Sequence, residues 1–214
     1  VNTEVREGRY PGKFGRIVLS ALEEVVGRDG LLALLRLARL EDWAQEIEDD
    51  FRPTVTFEAV GRLSAALDEL YGPTEGQWLA RQVGHRAFRL GAEGLGFALG
   101  LADVGRRLLP PAVKIRLGME TLAEFFNRYS DQRVRLGEDN DFYYWIAESG
   151  GFCYGRRTTY PACGMATGLL SATLSWMRGG AGVEVQEVEC RAQGAPHCTF
   201  RIPKGKAGQR QHNA

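Results

Sequence analysis

Val188-Glu-Cys-Arg-Ala-Gln-Gly-Ala-Pro-His-Cys-Thr-Phe200 holds Cys190 and Cys198, with seven residues between them that include Gly194 and Pro196. Glycine and proline in so short a span mark a turn. Val188 and Cys190 share one parity before the turn. After it Cys198, Phe200 and Ile202 alternate with Thr199 and Arg201. Period-two patterning on both sides predicts two strands joined as a hairpin, Cys190 ending the first and Cys198 opening the second. Val183 and Val185 lie on the other parity from Val188, and this phase break predicts a bulge near Gln186 or Glu187.

Upstream of the hairpin, a helix is expected from about Ala162, carrying Met165, Leu169 and Leu170 to a stop at Gly179-Gly180. Before it, Arg133 to Leu136 alternates, Gly137 to Asp141 reads as a turn, and Phe142 to Ala147 as a more buried aromatic strand. Earlier still the period is helical. Phe14, Val18, Leu22 and Val25 form one stripe up to Gly27, and a second helix follows around Leu31 to Gln45. Phe57, Val60, Leu63, Leu67 and Leu70 mark a third, closed by Gly72-Pro73. Thr74, three residues before Gln77, has the spacing that caps a fourth helix, which carries Trp78, Val83, Ala87 and Leu90 and loosens over Gly91 to Gly100. Pro110 and Pro111 suit the first turn of a fifth, with the stripe Ile115, Met119, Leu122, Phe126 and Tyr129. Helices first, then strands around one crossing helix, predict an α+β fold whose helical N-terminal half packs on a small antiparallel sheet. Residues 1–203 are expected to form a single domain and 204–214 a polar, frayed tail.

Composition narrows the function classes. Lys+Arg and Asp+Glu are equal at 27 each, a balance that argues against a nucleic-acid groove and against a surface made for anionic lipid. The longest uncharged stretch, Thr158 to Met177, contains Pro161, glycines and hydroxyls and is not the roughly 20-residue apolar run of a membrane span. The first residues lack a basic-then-apolar signal pattern. A soluble, cytoplasmic protein is the expectation, and in that compartment disulfides are uncommon.

All four cysteines fall between Cys153 and Cys198. Cys163 follows Pro161 at the expected start of a helix, where the unpaired N–H groups and the macrodipole favour a thiolate. Cys153 lies in the loop feeding that helix. A loop, a helix start and a hairpin can therefore bring four sulfurs to one tetrahedral site, the arrangement of structural zinc. Two alternatives stand beside it: two disulfides, which four cysteines can form in three ways, and four buried free thiols acting as small hydrophobes.

The run Cys153-Tyr-Gly-Arg-Arg, then Pro161-Ala-Cys163, Gly168-Leu-Leu and Val188-Glu-Cys190-Arg-Ala-Gln-Gly194-Ala-Pro-His-Cys198-Thr-Phe200 resembles the 4-vinyl reductase domain family. That family includes a bacteriochlorophyll biosynthesis protein, hydrocarbon-binding proteins and the sensory domains of phenol-responsive activators. The resemblance implies an α+β fold also seen in vesicle-transport tethering subunits, and a homodimer. From the phenol sensors it implies zinc held by three cysteines and a glutamate near an aromatic pocket. Cys163, Cys190 and Cys198 match the cysteines, no residue matches the glutamate, and Cys153 is taken as the fourth ligand with Glu148 in reserve.

A site closed by four protein ligands leaves no position for water or substrate, so the zinc is expected to act as a clasp. The pocket it shapes would draw on Phe125, Phe126, Tyr129, Trp145, Phe152 and Trp176 for a flat, hydrophobic aromatic or tetrapyrrole ligand, although aromatic residues at these spacings also serve as plain core. No nucleophile–base pair stands out, and Gly94-Leu-Gly96-Phe-Ala-Leu-Gly100 lacks the spacing of a dinucleotide loop. His85 reads as packing or surface, His197 as a neighbour of the metal site, and His212 as part of the tail. A non-catalytic ligand-binding module, sensor or carrier, is the leading expectation. With no effector segment after the domain, a sensor would need a partner protein. A reductase or accessory factor of tetrapyrrole synthesis, and a dimeric interaction scaffold with a filled interior, are the alternatives.

Overall fold

The computed structural model describes residues 7–95 and 109–204. The element order is β1 (Arg9–Pro11), α1 (Gly12–Leu37), α2 (Trp43–Glu46), β2 (Pro53–Thr56), α3 (Phe57–Tyr71), α4 (Pro73–Leu95), α5 (Pro111–Tyr129), β3 (Arg133–Glu138), β4 (Phe142–Ser149), α6 (Gly164–Met177), β5 (Gln186–Glu189), a 3-10 turn (Arg191–Gln193) and β6 (Cys198–Pro203). The fold is α+β, with two antiparallel sheets among the described residues: a small β1–β2 pair and a four-stranded sheet ordered β3-β4-β6-β5. The expected tail beyond Lys204 and most of the glycine-rich segment from Gly91 to Gly100 lie outside the described residues.

Local chemistry sets most boundaries. Thr56 caps α3, its hydroxyl accepting the Ala59 N–H at 3.1 Å. Pro111 opens α5 at its first turn, as expected. Gly27, at φ 75° and ψ 170°, breaks α1 into two helical segments.

Three expectations need correction. The second helical segment stops at Leu37, not Gln45, because Arg39 takes a left-handed conformation at φ 53°. Leu40, Trp43 and Ile47 are buried beyond that stop, so the apolar period continued where the helix did not. Thr74 does not cap α4, which begins at Pro73. Gln77, its expected partner, is used elsewhere. The bulge falls between Glu187 and Glu189, so Val188 is exposed and Glu187 is buried.

The core is continuous from the aromatic cluster of Tyr10, Phe14, Phe57, Phe126 and Phe152 to the sheet residues Trp145, Phe200 and Ile202. Helix α6 is apolar nearly all round and lies against α4, so it is an interior element. Glycines let the two helices approach. A β-carbon at Gly84 would come within 2.1 Å of the Met165 carbonyl oxygen, and one at Gly168 within 2.0 Å of the Arg81 carbonyl oxygen. This close crossing fixes where α6 begins, and therefore where Cys163 sits.

Candidate metal centre and adjoining cavity

Each cysteine arrives on a different piece of backbone. Cys153 sits in a turn after β4, Cys163 is the N-cap residue of α6, Cys190 follows β5, and Cys198 opens β6. Gly194 at φ 96° turns the chain between the last two, and β5 and β6 pair antiparallel, the hairpin expected from the spacing. Within the sheet Cys198 stands opposite Ala147 on β4.

The four sulfurs lie within 4.8 Å of one another and all four residues are buried. Cys153 and Cys198 are 3.4 Å apart, and Cys163 and Cys198 are 3.6 Å apart. A tetrahedral zinc thiolate site, with Zn–S near 2.3 Å, puts its sulfurs about 3.8 Å apart. The donor set and its size therefore fit a tetrahedral divalent cation. Backbone amides soften the accumulated negative charge: the Ala162 N–H donates to Cys190 Sγ at 3.5 Å and the Arg191 N–H to Cys198 Sγ at 3.4 Å.

The titration behaviour describes a cluster built for more positive charge than thiols supply. Hydrogen bonds from Cys163, Cys190 and Cys198 hold the Cys153 thiol far below its ordinary value. The reciprocal bond with Cys153 pushes Cys163 and Cys198 up. One thiolate served by three thiols is the arrangement of protons alone; a divalent cation lets all four ionise.

Glu187 was not singled out from the sequence. Its buried Oε2 accepts the Cys163 N–H at 2.9 Å, while Oε1 is buried without a partner among the described residues. Burial pushes this carboxyl up to about 8, with Cys190 adding to the rise. The signal for it was present, since Glu187 shares the parity of buried Val183 and Val185. Glu148, the reserve ligand, instead pairs with Arg135 at 2.9 Å on the surface. His197 meets Glu189 at 3.3 Å and is not among the clustered ligand atoms.

A buried polar node anchors the two upstream cysteines. Asp68 on α3 accepts from the Gln77 amide at 2.9 and 3.1 Å, from the Tyr160 hydroxyl at 2.8 Å, and from the Arg156 guanidinium. Arg156 also donates to the Ala162 carbonyl at 3.1 Å, and its backbone N–H to the Cys153 carbonyl at 3.2 Å. Gln77 Oε1 accepts the Gly164 N–H at 2.9 Å, one of the free amides at the start of α6. The loop between Cys153 and Cys163 is thus tied to α3 and α4 on both sides of the sulfurs.

Beside the cluster lies a cavity of about 30 Å³, walled by Trp145, Phe152, Ala166 and Phe200 with Gln132, Arg191 and the sulfurs of Cys153, Cys163 and Cys198. Of the six aromatic residues anticipated, Trp145 and Phe152 line it. Phe126 stands edge-on to Trp145 at 6.2 Å, one layer away. Phe125 and Tyr129 stack on each other at 5.1 Å, and Tyr129 reaches Phe51 at 5.5 Å. Trp176, 43% exposed, packs on Phe88 at 6.1 Å, on the α4–α6 side. A roomier groove of about 250 Å³ runs between α5 and β3, lined by Arg116, Met119, Leu136 and Tyr143, but it holds none of the cysteines.

The structure is similar to those of H-NOX proteins. One, described as probing the function of heme distortion in the H-NOX family, is 15% identical over 94% of this chain and 99% of that one, with a TM-score of 0.57. The unliganded Fe(II) H-NOX protein from K. algicida is 13% identical over 94% and 100%, with a TM-score of 0.56. At these identities the likeness is one of fold. The phenol-responsive sensory domain of the transcription activator PoxR with phenol is 20% identical over 68% of this chain and 72% of that one, at a TM-score of 0.48. No curated protein sequence matches the chain. The family model for the 4-vinyl reductase domain matches residues 147–204, the segment from the site end of β4 through all four cysteines to the end of β6. This chain carries a 4-vinyl reductase domain, the family that the cysteine motif resembles.

Proposed function

We propose that this protein is a non-catalytic small-molecule-binding domain, sensor or carrier, whose four cysteines hold one structural zinc ion beside an aromatic ligand cavity. The observation that carries this reading is the convergence of four buried sulfurs from four backbone segments against a wall of Trp145, Phe152 and Phe200. Four thiolates complete a tetrahedral shell, so the ion supplies folding energy and geometry instead of a reactive position. The cavity of about 30 Å³ has room for about one water molecule, whereas a cavity near 150 Å³ admits a benzene ring. Ligand entry therefore displaces the cavity wall. The Phe152–Cys153 turn is the segment that joins that wall to the metal, which makes ligand occupancy and cluster geometry one coupled event.

Haem, named for the H-NOX neighbours, does not fit the described residues. It needs an axial donor such as histidine. Among the described residues His85 is exposed on α4 and His197 pairs with Glu189, and neither lines the cavity. The reading keeps the homodimer implied by the family resemblance and the cytoplasmic setting implied by composition.

Elemental analysis of native protein should find one zinc per chain, and a simple ring compound such as toluene should raise the Tm of the zinc-loaded protein. Folded protein devoid of metal would remove the clasp. Iron in place of zinc would keep the clasp and change its ion. Failure of every ring compound to bind would remove the ligand reading.

A further inference from the structure

The cavity has one buried polar side chain whose orientation the hydrogen-bond network fixes. Gln132 is 5% exposed and lines the cavity next to Trp145. Its Oε1 accepts the Tyr10 hydroxyl at 2.7 Å. Tyr10, fully buried, accepts the Gly151 N–H at 2.9 Å through that same hydroxyl oxygen. A backbone N–H can only donate, so the phenol oxygen accepts there and its single proton goes to Gln132. A proton arriving from Tyr10 requires the oxygen end of the amide, which settles the amide's orientation. The N–H2 end is left over, and among the described residues no acceptor meets it.

Arg191, the other polar side chain of the cavity wall, is also a donor, and no carboxylate pairs with it among the described residues. Arg191 and Tyr154 further line two outer clefts of about 420 and 410 Å³, so Arg191 stands between solvent and the inner cavity. The aromatic walls offer stacking area, and the polar side chains offer donors alone.

We infer that the ligand is a small planar ring carrying a hydrogen-bond acceptor oxygen, selected by the Gln132 amide N–H2 that Tyr10 holds toward the cavity. The inference rests on the ligand-binding reading above and adds the chemical polarity of what is bound. Gln132 is the specificity-determining residue and Tyr10 a positioning residue. A buried donor left unpaired penalises a ligand that cannot accept, so shape alone does not decide affinity.

Three ring compounds of similar size separate the effects: acetophenone (acceptor), aniline (chiefly donor) and toluene (neither), titrated by calorimetry into the zinc-loaded protein. Acetophenone should bind on the order of tenfold tighter than toluene, the worth of one well-placed hydrogen bond. Gln132→Met, which keeps length and loses the donor, should bring acetophenone down to toluene's affinity while toluene is unchanged. Tyr10→Phe frees the amide to turn over, so the gap between acetophenone and aniline should narrow. A purely structural role would lower all three affinities together.

Equal binding of acetophenone and toluene to the native protein overturns the inference and leaves the ligand cavity standing. So does a gap that survives Gln132→Met. If none of the three binds, the cavity reading falls and the inference with it. Metal content and cooperative unfolding of each variant show that it is folded, and the comparison in native protein decides the matter even if Tyr10→Phe does not fold.

Discussion

Strands β4 and β6 run between two ends of the same sheet, and the two ends are held by opposite kinds of chemistry. At one end Ala147 pairs with Cys198, and the strands meet buried sulfurs, the start of α6 and the Asp68–Arg156 node. At the other end Phe142 pairs with Pro203, and the contacts are exposed: Lys204 with Glu138 at 2.6 Å, Arg116 with Glu138 at 3.4 Å, and the Asp139 turn. Charges in water gain little from pairing, whereas buried groups without partners cost several kcal/mol. The same backbone ladder therefore has an end that tolerates substitution and an end that does not. The intolerant one carries the four-cysteine motif.

The largest break in that contrast comes from Cys198→Ser. Cys198 lies within 3.6 Å of two other sulfurs, so the variant should release the metal and lower Tm by about 10 °C or more, given roughly 2–4 °C per kcal/mol in a chain of this size. Elemental analysis and a thermal melt check both parts. Retention of stoichiometric metal would take Cys198 out of the ligand set.

Asp68→Leu tests the same end without touching a sulfur. Both side chains of the Asp68–Arg156 pair are under a tenth exposed, so the substitution strands a guanidinium and should cost about 3–5 kcal/mol in urea unfolding. The double variant Asp68→Leu with Arg156→Met should recover much of this, because it removes both charges. At the other end Lys204→Ala should cost less than about 1 kcal/mol, since the pair it breaks is partly exposed and screened. Comparable losses at the two ends would erase the contrast.

These same residues show what the sequence could and could not reveal. The hairpin, the capping position of Cys163 and the loop position of Cys153 were legible because each depends on neighbours within a few positions: alternation, a proline, a glycine turn. Asp68 was not legible. It stands among the leucines of α3, and its partner lies 88 residues away, a pairing no local period encodes. Gln132 and Tyr10 meet across 122 residues for the same reason. Glu187 was hidden differently, because a charged residue beside a bulge reads as outward while the parity of Val183 and Val185 turns it inward. The pocket aromatics divide along the same line: Trp145 reaches the cavity wall from a strand whose alternation is readable, whereas nothing local distinguishes Trp176, on the outside of α6, from a lining residue. The β1–β2 pair also went unread, being three and four residues long with a proline in each strand.

The smallest expected effect sharpens the contrast at the exposed end. Asp139 accepts the Tyr144 hydroxyl at 2.7 Å and the backbone N–H groups of Asp141 and Phe142 at 2.9 and 2.8 Å. The Tyr144 bond, then the two backbone bonds, hold its carboxyl below the ordinary range. A carboxyl lowered on folding stabilises the native state above its unfolded pKa of about 3.9, and that stabilisation is lost as pH falls through the lower folded value. Asn keeps the oxygen that the two amides use but not the charge. Asp139→Asn should therefore be slightly less stable than the native protein at pH 7, and the difference should close below about pH 4, where the native carboxyl takes up its proton. Urea midpoints measured across that range give the curve. A gap that stays constant into acid would mean that the turn is held by its backbone geometry and not by the ionised carboxylate.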